Sequence, residues 1–216
     1  MAVSKGDFEI INKSLEQIKE LKKPYIIGID ASLNNTGVVI LNYKGELKKT
    51  FSIIPKDLFG VERLAYNENI LNNNLYNIIS EKSCIVIREG YAHGRVQGAH
   101  QMGEWGGVLK FYFHKISSST VSNLIPMIEV APQSLKKFAN AYGKGKSSVL
   151  KEVYKRWHFD TNDDNLADAF VLAMVGVKLR KVLKGFKTKL NKKQSEVINK
   201  ICCPIKKTRK KVEKHL

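Results

Sequence analysis

Carboxylates are the residues of this 216-residue chain whose placement could do chemistry. Asp30 closes the apolar run 25-YIIGID, Glu89 closes 84-CIVIRE, and Asp164 and Asp168 stand one helical turn apart in 164-DNLADAFVLA. Acids at the same ends of neighbouring strands, met by acids at the start of a helix, can converge on a small space. Unpaired, they repel; a hard divalent cation that prefers oxygen ligands removes the conflict. Three or four carboxylates suit one or two Mg²⁺ ions, and two ions about 4 Å apart stabilise both the attacking and the leaving oxygen of a phosphodiester.

Each acid also has a plainer reading. A strand-end Asp is often a turn residue, and Glu89 follows Arg88 and could be half of a surface ion pair. Asp163 and Asp164 fall in a first helical turn, where carboxylates cap amides and complement the helix dipole. Asp168 differs, because 166-LADAFVLA is otherwise apolar and a buried carboxylate without a partner is costly.

The elements that must position these acids follow from periodicity. Ile11, Leu15 and Ile18 predict an amphipathic helix over 7–21, ended by Pro24. The β-branched runs 25-YIIGID, 36-TGVVIL and 47-LKKTFSII, separated by Asn34-Asn35 and Lys44-Gly45, predict three strands joined by hairpins. A helix over 61–80 has Leu64, Ile70, Leu71, Leu75 and Ile78 as its apolar side, and the fully apolar 84-CIVIRE reads as a central strand. A helix over 95–115 is expected to break at Gly106-Gly107, where another backbone could approach closely. The run 125-IPMIEVA predicts a fifth strand closed by Pro132, followed by helices over 133–142, 147–157 and 164–183. The sum is an α/β chain with a mixed five-stranded sheet flanked by helices. It divides into an N-terminal helical extension (1–23), one domain (24–183) and a basic C-terminal tail (184–216).

Charge narrows the partners. The chain carries 37 Lys+Arg against 20 Asp+Glu, a net +17, and residues 178–216 hold fifteen of the bases with only Glu196 and Glu213 to oppose them. Such an excess is a counterion-releasing handle for a polyanion, of which nucleic acid is the commonest in a cytosol; its plainer role is a solvated terminus. An anionic membrane is a poorer fit, since 186-FKTKLNKKQSEVINKICC lacks an aromatic-rich apolar face. No run reaches the roughly 18 apolar residues a bilayer demands, and Lys5, Asp7 and Glu9 occupy the place of a signal peptide's apolar stretch, so a cytoplasmic protein is expected. Cys84, Cys202 and Cys203 offer no disulfide framework, and the five histidines show no zinc spacing. The loop 143-GKGKS ends like a phosphate-binding P-loop, but Asn140 stands at its first glycine position and a helix rather than a strand precedes it.

Four blocks together resemble a known family. The run 28-GIDASLNNTGVVIL is similar to the first strand and hairpin of the RuvC family of Holliday-junction resolvases, which opens with GIDPG followed by TG; here Ala31-Ser32 replaces Pro-Gly. The runs 86-VIREGYAHG and 98-GAHQMGEWGGVL resemble its glutamate strand and following helix, 129-EVAPQSLKKF its fifth strand and basic helix, and 164-DNLADAFVLA its closing aspartate helix. The blocks keep their order across residues 25–178.

That resemblance implies an RNase H-like fold, a homodimer, and Mg²⁺- or Mn²⁺-dependent nicking of two strands in a four-way DNA junction. It makes Asp30, Glu89 and Asp168 metal ligands. Where the commonest bacterial pattern has a further acid three residues before the last aspartate, this chain has Asn165, with Asp164 one residue earlier and on the same helical side. Tyr91 stands near the family's junction-wedging aromatic, and Lys136, Lys137, Lys144, Lys146 and Lys151 are the candidate DNA-binding lysines. The helices over 61–80 and 95–115 are the candidate dimer interface. Abundant Lys and Asn suggest an AT-rich genome, which fits a phage or viral member working in a host cytoplasm. Two other readings stay open: an RNase H-like nuclease acting on flaps, plain duplex or RNA–DNA hybrid, and a non-catalytic DNA-binding protein of the same fold.

Overall fold

The structure, a computed structural model, describes residues 2–90, 98–119, 125–143 and 148–206, without the side chains of residues 2, 3, 118, 119, 205 and 206. A two-residue strand, β1 (Ala2–Val3), leads into helix α1 (Lys5–Glu20), capped by Ser4, whose hydroxyl accepts from the Asp7 amide at 3.2 Å. Leu15 and Ile18 turn inward from α1, as their spacing predicts. Then β2 (Tyr25–Asp30), β3 (Thr36–Leu41) and β4 (Leu47–Ile53) form an antiparallel meander. Its second turn is built by Asn42, whose side-chain oxygen accepts from the amides of Lys44, Gly45 and Glu46 at 3.0 to 3.1 Å. Gly45 sits there at φ 102°, a conformation that favours a residue without Cβ.

Helix α2 (Gly60–Glu81), strand β5 (Cys84–Glu89), helix α3 (Ala99–Ser119) and strand β6 (Met127–Val130) come next, followed by α4 (Pro132–Ala139), α5 (Ser148–Trp157) and α6 (Asp164–Leu183). Helix α7 (Lys192–Cys202) and β7 (Ile205–Lys206) close the described chain. The main sheet has the order β4-β3-β2-β5-β6, with β5 parallel to both β2 and β6, and β1 pairs in parallel with β7 in a small separate sheet.

Strand alternation sorts the core into two layers. Ile27, Ile29, Val38, Ile40 and Val86 pack under α2 and α3 with Leu71, Leu75, Trp105 and Leu109. Ile26, Val39, Leu41, Ile85 and Ile87 face α6, which is buried along most of its length, with α1, α4, α5 and α7 completing that layer.

The strands and helices expected from periodicity form over the described residues, residues 95–97 of the helix expected over 95–115 lying outside them, and some expectations change. Strand β5 is interior and buried, as expected, paired in parallel with β2 on one side and β6 on the other. The buried row of α2 is Arg63, Asn67, Leu71, Leu75 and Ile79, so two polar residues share a stripe with the leucines, while Leu64, Ile70 and Ile78 are only partly buried. Helix α3 runs through Gly106-Gly107 unbroken. A mid-helix glycine costs about 1 kcal/mol against alanine, less than the burial of Trp105, Leu109, Tyr112 and Phe113 supplies to the same helix. Among the described residues, a Cβ on Gly107 would meet nothing within 4 Å.

Residues 192–202 fall in the expected basic tail. They form α7, started by a capping box in which the Asn191 side chain accepts from the Gln194 amide at 2.9 Å while the Gln194 side chain accepts from the Asn191 amide. Val197 and Ile198 are buried in the α6-side core, Lys137 of α4 pairs with Glu196, and Lys193 donates to Asn140 at 2.7 Å. The lysines of α7 occupy its outer face and hide its apolar one in the composition.

Candidate active site

Period-two alternation puts Asp30 on the same face as Ile26 and Gly28, and Glu89 on the same face as Ile85 and Ile87. The β2–β5 register pairs Ile29 with Arg88, so the next step brings Asp30 beside Glu89. The two carboxyl groups hydrogen-bond to each other. Asp30 is 6% exposed, and its carboxyl is held well above the usual range, first by burial and then by the charges of Glu89 and Asp168.

Asp168 reaches this pair because α6 lies unusually close to the sheet. A Cβ on Gly37 would fall 2.3 Å from the Asn165 carbonyl oxygen, and one on Gly28 would fall 2.0 Å from the Ala169 oxygen and 2.6 Å from the Ala173 nitrogen. Asn165, Ala169 and Ala173 thus form a rung-like stripe on β3 and β2, and Asp168, one residue before Ala169, comes down beside Glu89. Its carboxyl is pushed up to about 7 by burial first and Glu89 second, with Lys136 opposing and Asp164 adding to the rise. Its Oδ1 is buried and accepts no hydrogen bond.

Asp163 takes the plainer of its two roles. It is the N-cap of α6, accepting from the amides of Asn165 at 2.8 Å and Leu166 at 3.3 Å, while its other oxygen accepts from Asn35 at 3.0 Å and Ser52 at 2.9 Å. Burial alone would raise its carboxyl; these donors outweigh burial and hold it below the usual range. The cap ties α6 to the loop after β2 and to β4, which fixes where Asp168 enters. That loop is closed around Thr36, whose hydroxyl donates to the Ser32 carbonyl at 2.8 Å and accepts from the buried Trp105 indole at 3.0 Å.

Arg88 belongs to the other face. It forms two hydrogen bonds to Glu129, at 2.7 and 3.2 Å, and Lys110 of α3 reaches the same carboxylate at 2.9 Å. Burial would raise Glu129, and the two cations hold it low. The pairing of Arg88 with Glu129 across β5 and β6 was not legible in sequence, where Glu89 was the nearer acid.

The structure brings Asp30, Glu89 and Asp168 together, with Asp164 exposed at the edge of the group and its charge felt at Asp168. Lys136 projects from α4 close enough to act on Asp168, whereas its neighbour Lys137 is turned to Glu196 of α7. Lys151 is exposed on α5. Tyr91, Lys144 and Lys146 lie outside the described residues. Among the described residues, no three His, Cys, Asp or Glu side chains are gathered closely enough to enclose a metal ion as they stand. The donor set nonetheless fits a hard divalent cation: all oxygen, mutually repelling when ionised, and with one buried oxygen lacking any donor.

No helix among the described residues is long and apolar enough to cross a membrane. No family model and no curated sequence matches the chain. Solved structures do. Thermus thermophilus RuvC in complex with Holliday junction substrate matches with a TM-score of 0.57 at 14% identity, over 77% of this chain and 99% of that one. A second structure of T. thermophilus RuvC matches over the same shares at 14% identity and a TM-score of 0.55. The yeast mitochondrial Holliday junction resolvase Ydc2 is a looser match, at 12% identity and a TM-score of 0.48 over 87% of this chain and 90% of that one. Sheet order and the long closing helix together give this chain the RNase H-like fold seen in the T. thermophilus RuvC structures.

Proposed function

We propose that this chain is a divalent-metal-dependent endonuclease that nicks branched DNA, four-way junctions foremost, and works as a homodimer. One observation carries the reading: Asp30, Glu89 and Asp168 crowd together, partly buried, at the C-terminal ends of β2 and β5, where an architectural protein would gain nothing from acids beside a phosphate backbone. Asp30, Glu89 and Asp168 would hold one or two Mg²⁺ or Mn²⁺ ions, with Asp164 as the outer ligand. When bound, such ions supply Lewis-acid stabilisation of the attacking and leaving oxygens.

The chain's own residues prepare this. Burial first, and the Glu89 charge second, hold the Asp30 carboxyl well above the usual range, so a cation bound there would relieve the repulsion between the two acids. Lys136, whose charge is felt at Asp168, would meet a phosphate oxygen on the approaching strand. Thr36 and Trp105 hold the turn after Asp30 so that the carboxylate keeps its position as substrate arrives.

Two symmetric cuts call for two such sites, and α3 offers a surface for a second copy. Gly103, Gly107 and Phe111 follow one another at four-residue intervals; a Cβ on either glycine would meet nothing within 4 Å, and Phe111 is 64% exposed.

The test is incubation of the purified protein with a synthetic four-way junction, a Y-fork, an RNA–DNA hybrid and linear duplex, with and without Mg²⁺. Paired symmetric nicks in the junction, dependent on metal, are expected. Preferred cleavage of fork or hybrid would reassign the substrate, and tight junction binding with no cleavage in Mg²⁺ or Mn²⁺ would leave a DNA-binding protein.

A further inference from the structure

At the opposite end of α6 from the acids lies a shallow pocket of about 290 Å³. Twelve residues separate Asp168 from Arg180, about 18 Å along the helix. The pocket is lined by Lys22, Lys23, Lys44, Lys181, Lys187 and Arg180, and by no acid. None of these six cations pairs with a carboxylate among the described residues. Arg180, 4% exposed, donates to the carbonyls of Leu21 and Lys22 at the C-terminal end of α1, and its Nε has no partner.

Two aromatic rings complete the lining. The Tyr43 ring carries the Arg180 guanidinium at 5.5 Å and the Lys44 ammonium at 6.0 Å from its centroid, so the ring helps hold two cations. Phe186 is 56% exposed at the rim. Cations that track a phosphate backbone beside an aromatic face on which a base can stack are the combination that binds single-stranded nucleic acid. The volume favours a single strand too: it sits at the lower edge of the roughly 300–1,000 Å³ typical of ligand pockets, enough for one nucleotide unit and too small for a duplex.

We infer that this pocket binds an unpaired nucleotide of a single-stranded DNA segment, phosphate on the lysines and base on Phe186, at a site separate from the carboxylates. The inference does not rest on nuclease activity, because binding is read without metal. The full-length protein in EDTA is titrated against a fluorescent oligo-dT and against a blunt duplex at several salt concentrations. The combined variant Lys22→Gln, Lys44→Gln, Lys187→Gln should lower the log–log salt slope for oligo-dT by about 2, at about 0.7 per lost single-strand phosphate contact. Phe186→Ala should weaken oligo-dT binding by about fivefold or more and leave duplex binding unchanged, since one stacked base contributes about 1–3 kcal/mol. Single-turnover junction cleavage at saturating protein should be unchanged in both variants; if the wild type cleaves nothing, the proposed function falls and this inference stands on its binding data. An unchanged slope in the lysine variant overturns the site. Equal loss of strand and duplex binding in Phe186→Ala, or a lysine variant that loses inorganic phosphate binding and keeps oligo-dT, overturns the single-strand assignment.

Discussion

The two ends of α6 carry opposite charge, and they differ in how that charge is housed. Asp163 and Asp164 at the start and Arg180 and Lys181 in the last turn all complement the helix dipole, a surface effect of about 0.3–1 kcal/mol each. That accounts for the end residues on the helix. It does not account for Asp168, a turn further in and within electrostatic reach of Asp30 and Glu89, nor for Lys22, Lys23 and Lys44, which come from other elements. At the acid end the surplus charge is partly buried, so it alters protonation and demands a specific counter-charge. At the basic end the lysines are largely exposed and act as a field. Burial separates a site that must choose its ligand from one that accepts any phosphate backbone.

Removing a buried acid should have the largest effect. Asp30→Asn, Glu89→Gln or Asp168→Asn should each lower junction cleavage by about a thousandfold, because Lewis-acid stabilisation is worth several kcal/mol and each 1.4 kcal/mol is tenfold. Junction binding should stay within a few-fold. Cleavage rates and gel-shift affinities on the same preparations check this, and full activity in any variant removes that residue from the site.

The next largest effect concerns position. Gly28→Ala puts a methyl group 2.0 Å from the Ala169 oxygen, a backbone atom with nowhere to go, so α6 must lift from β2. We expect a loss of about 3 kcal/mol, the upper range for overpacking, with cleavage falling alongside. Lys22→Gln or Lys44→Gln at the other end should stay within about 0.5 kcal/mol. Urea unfolding of the three variants breaks the comparison if the two ends prove equally tolerant.

What the sequence disclosed follows the same divide. The convergence of Asp30, Glu89 and Asp168 was legible because two of them end apolar strand runs and the third interrupts an apolar helix, and acids that end neighbouring parallel strands come out at the same end of the sheet. Strands β2 to β6 and the bounds of α6 were legible because burial imposes a simple period. Asp163 had two readings in sequence, and only the donors Asn35 and Ser52, more than 100 residues away, decide for the cap. Helix α7 was hidden because its lysines dominate the composition, although Asn191 and Gln194 form a capping box ahead of Val197, Ile198 and Ile201. The basic pocket was invisible: Lys22, Lys44, Arg180 and Lys187 share no local pattern and meet only when the start of β2, the turn after β3 and the end of α6 come together.

Protonation sharpens the contrast further. Asp168 is pushed to about 7 from an ordinary 3.8, and Asp30 moves in the same direction. The folded state therefore holds protons that the unfolded state has released, and this contribution is full below about pH 4 and lost as pH rises through 7. Without metal, stability should fall between pH 5 and pH 8. Asp168→Asn should flatten that fall and, at pH 8, stabilise the metal-free protein by about 2 kcal/mol, or roughly 5 °C in Tm. Mg²⁺ should raise the wild-type Tm at pH 8 and leave the variant's nearly unchanged. Thermal scans across pH, with EDTA or Mg²⁺, decide it; a wild type that gains stability from pH 5 to 8 in EDTA contradicts the acid cluster as described.

The smallest effect separates two neighbours on α6. Asp164 is exposed, four residues before Asp168, and its charge raises the Asp168 carboxyl, so the two share a side of the helix. Asn165 is three residues before Asp168, but its backbone is the part of α6 that rests on Gly37, and its amide is held by Asp163. A carboxylate also holds Mg²⁺ better than an amide does. Asp164→Asn should therefore lower cleavage by about tenfold, the scale of losing an outer partner rather than a buried ligand, and should be partly rescued by raising Mg²⁺. Asn165→Ala should change cleavage little and leave the metal dependence as it was. Titrating Mg²⁺ in single-turnover cleavage separates them: a higher Mg²⁺ requirement in Asp164→Asn alone assigns the outer position to Asp164, and the same shift in Asn165→Ala alone moves it to Asn165. Since Asp164 lies in water, its loss should barely alter metal-free stability, unlike that of Asp168 one turn deeper.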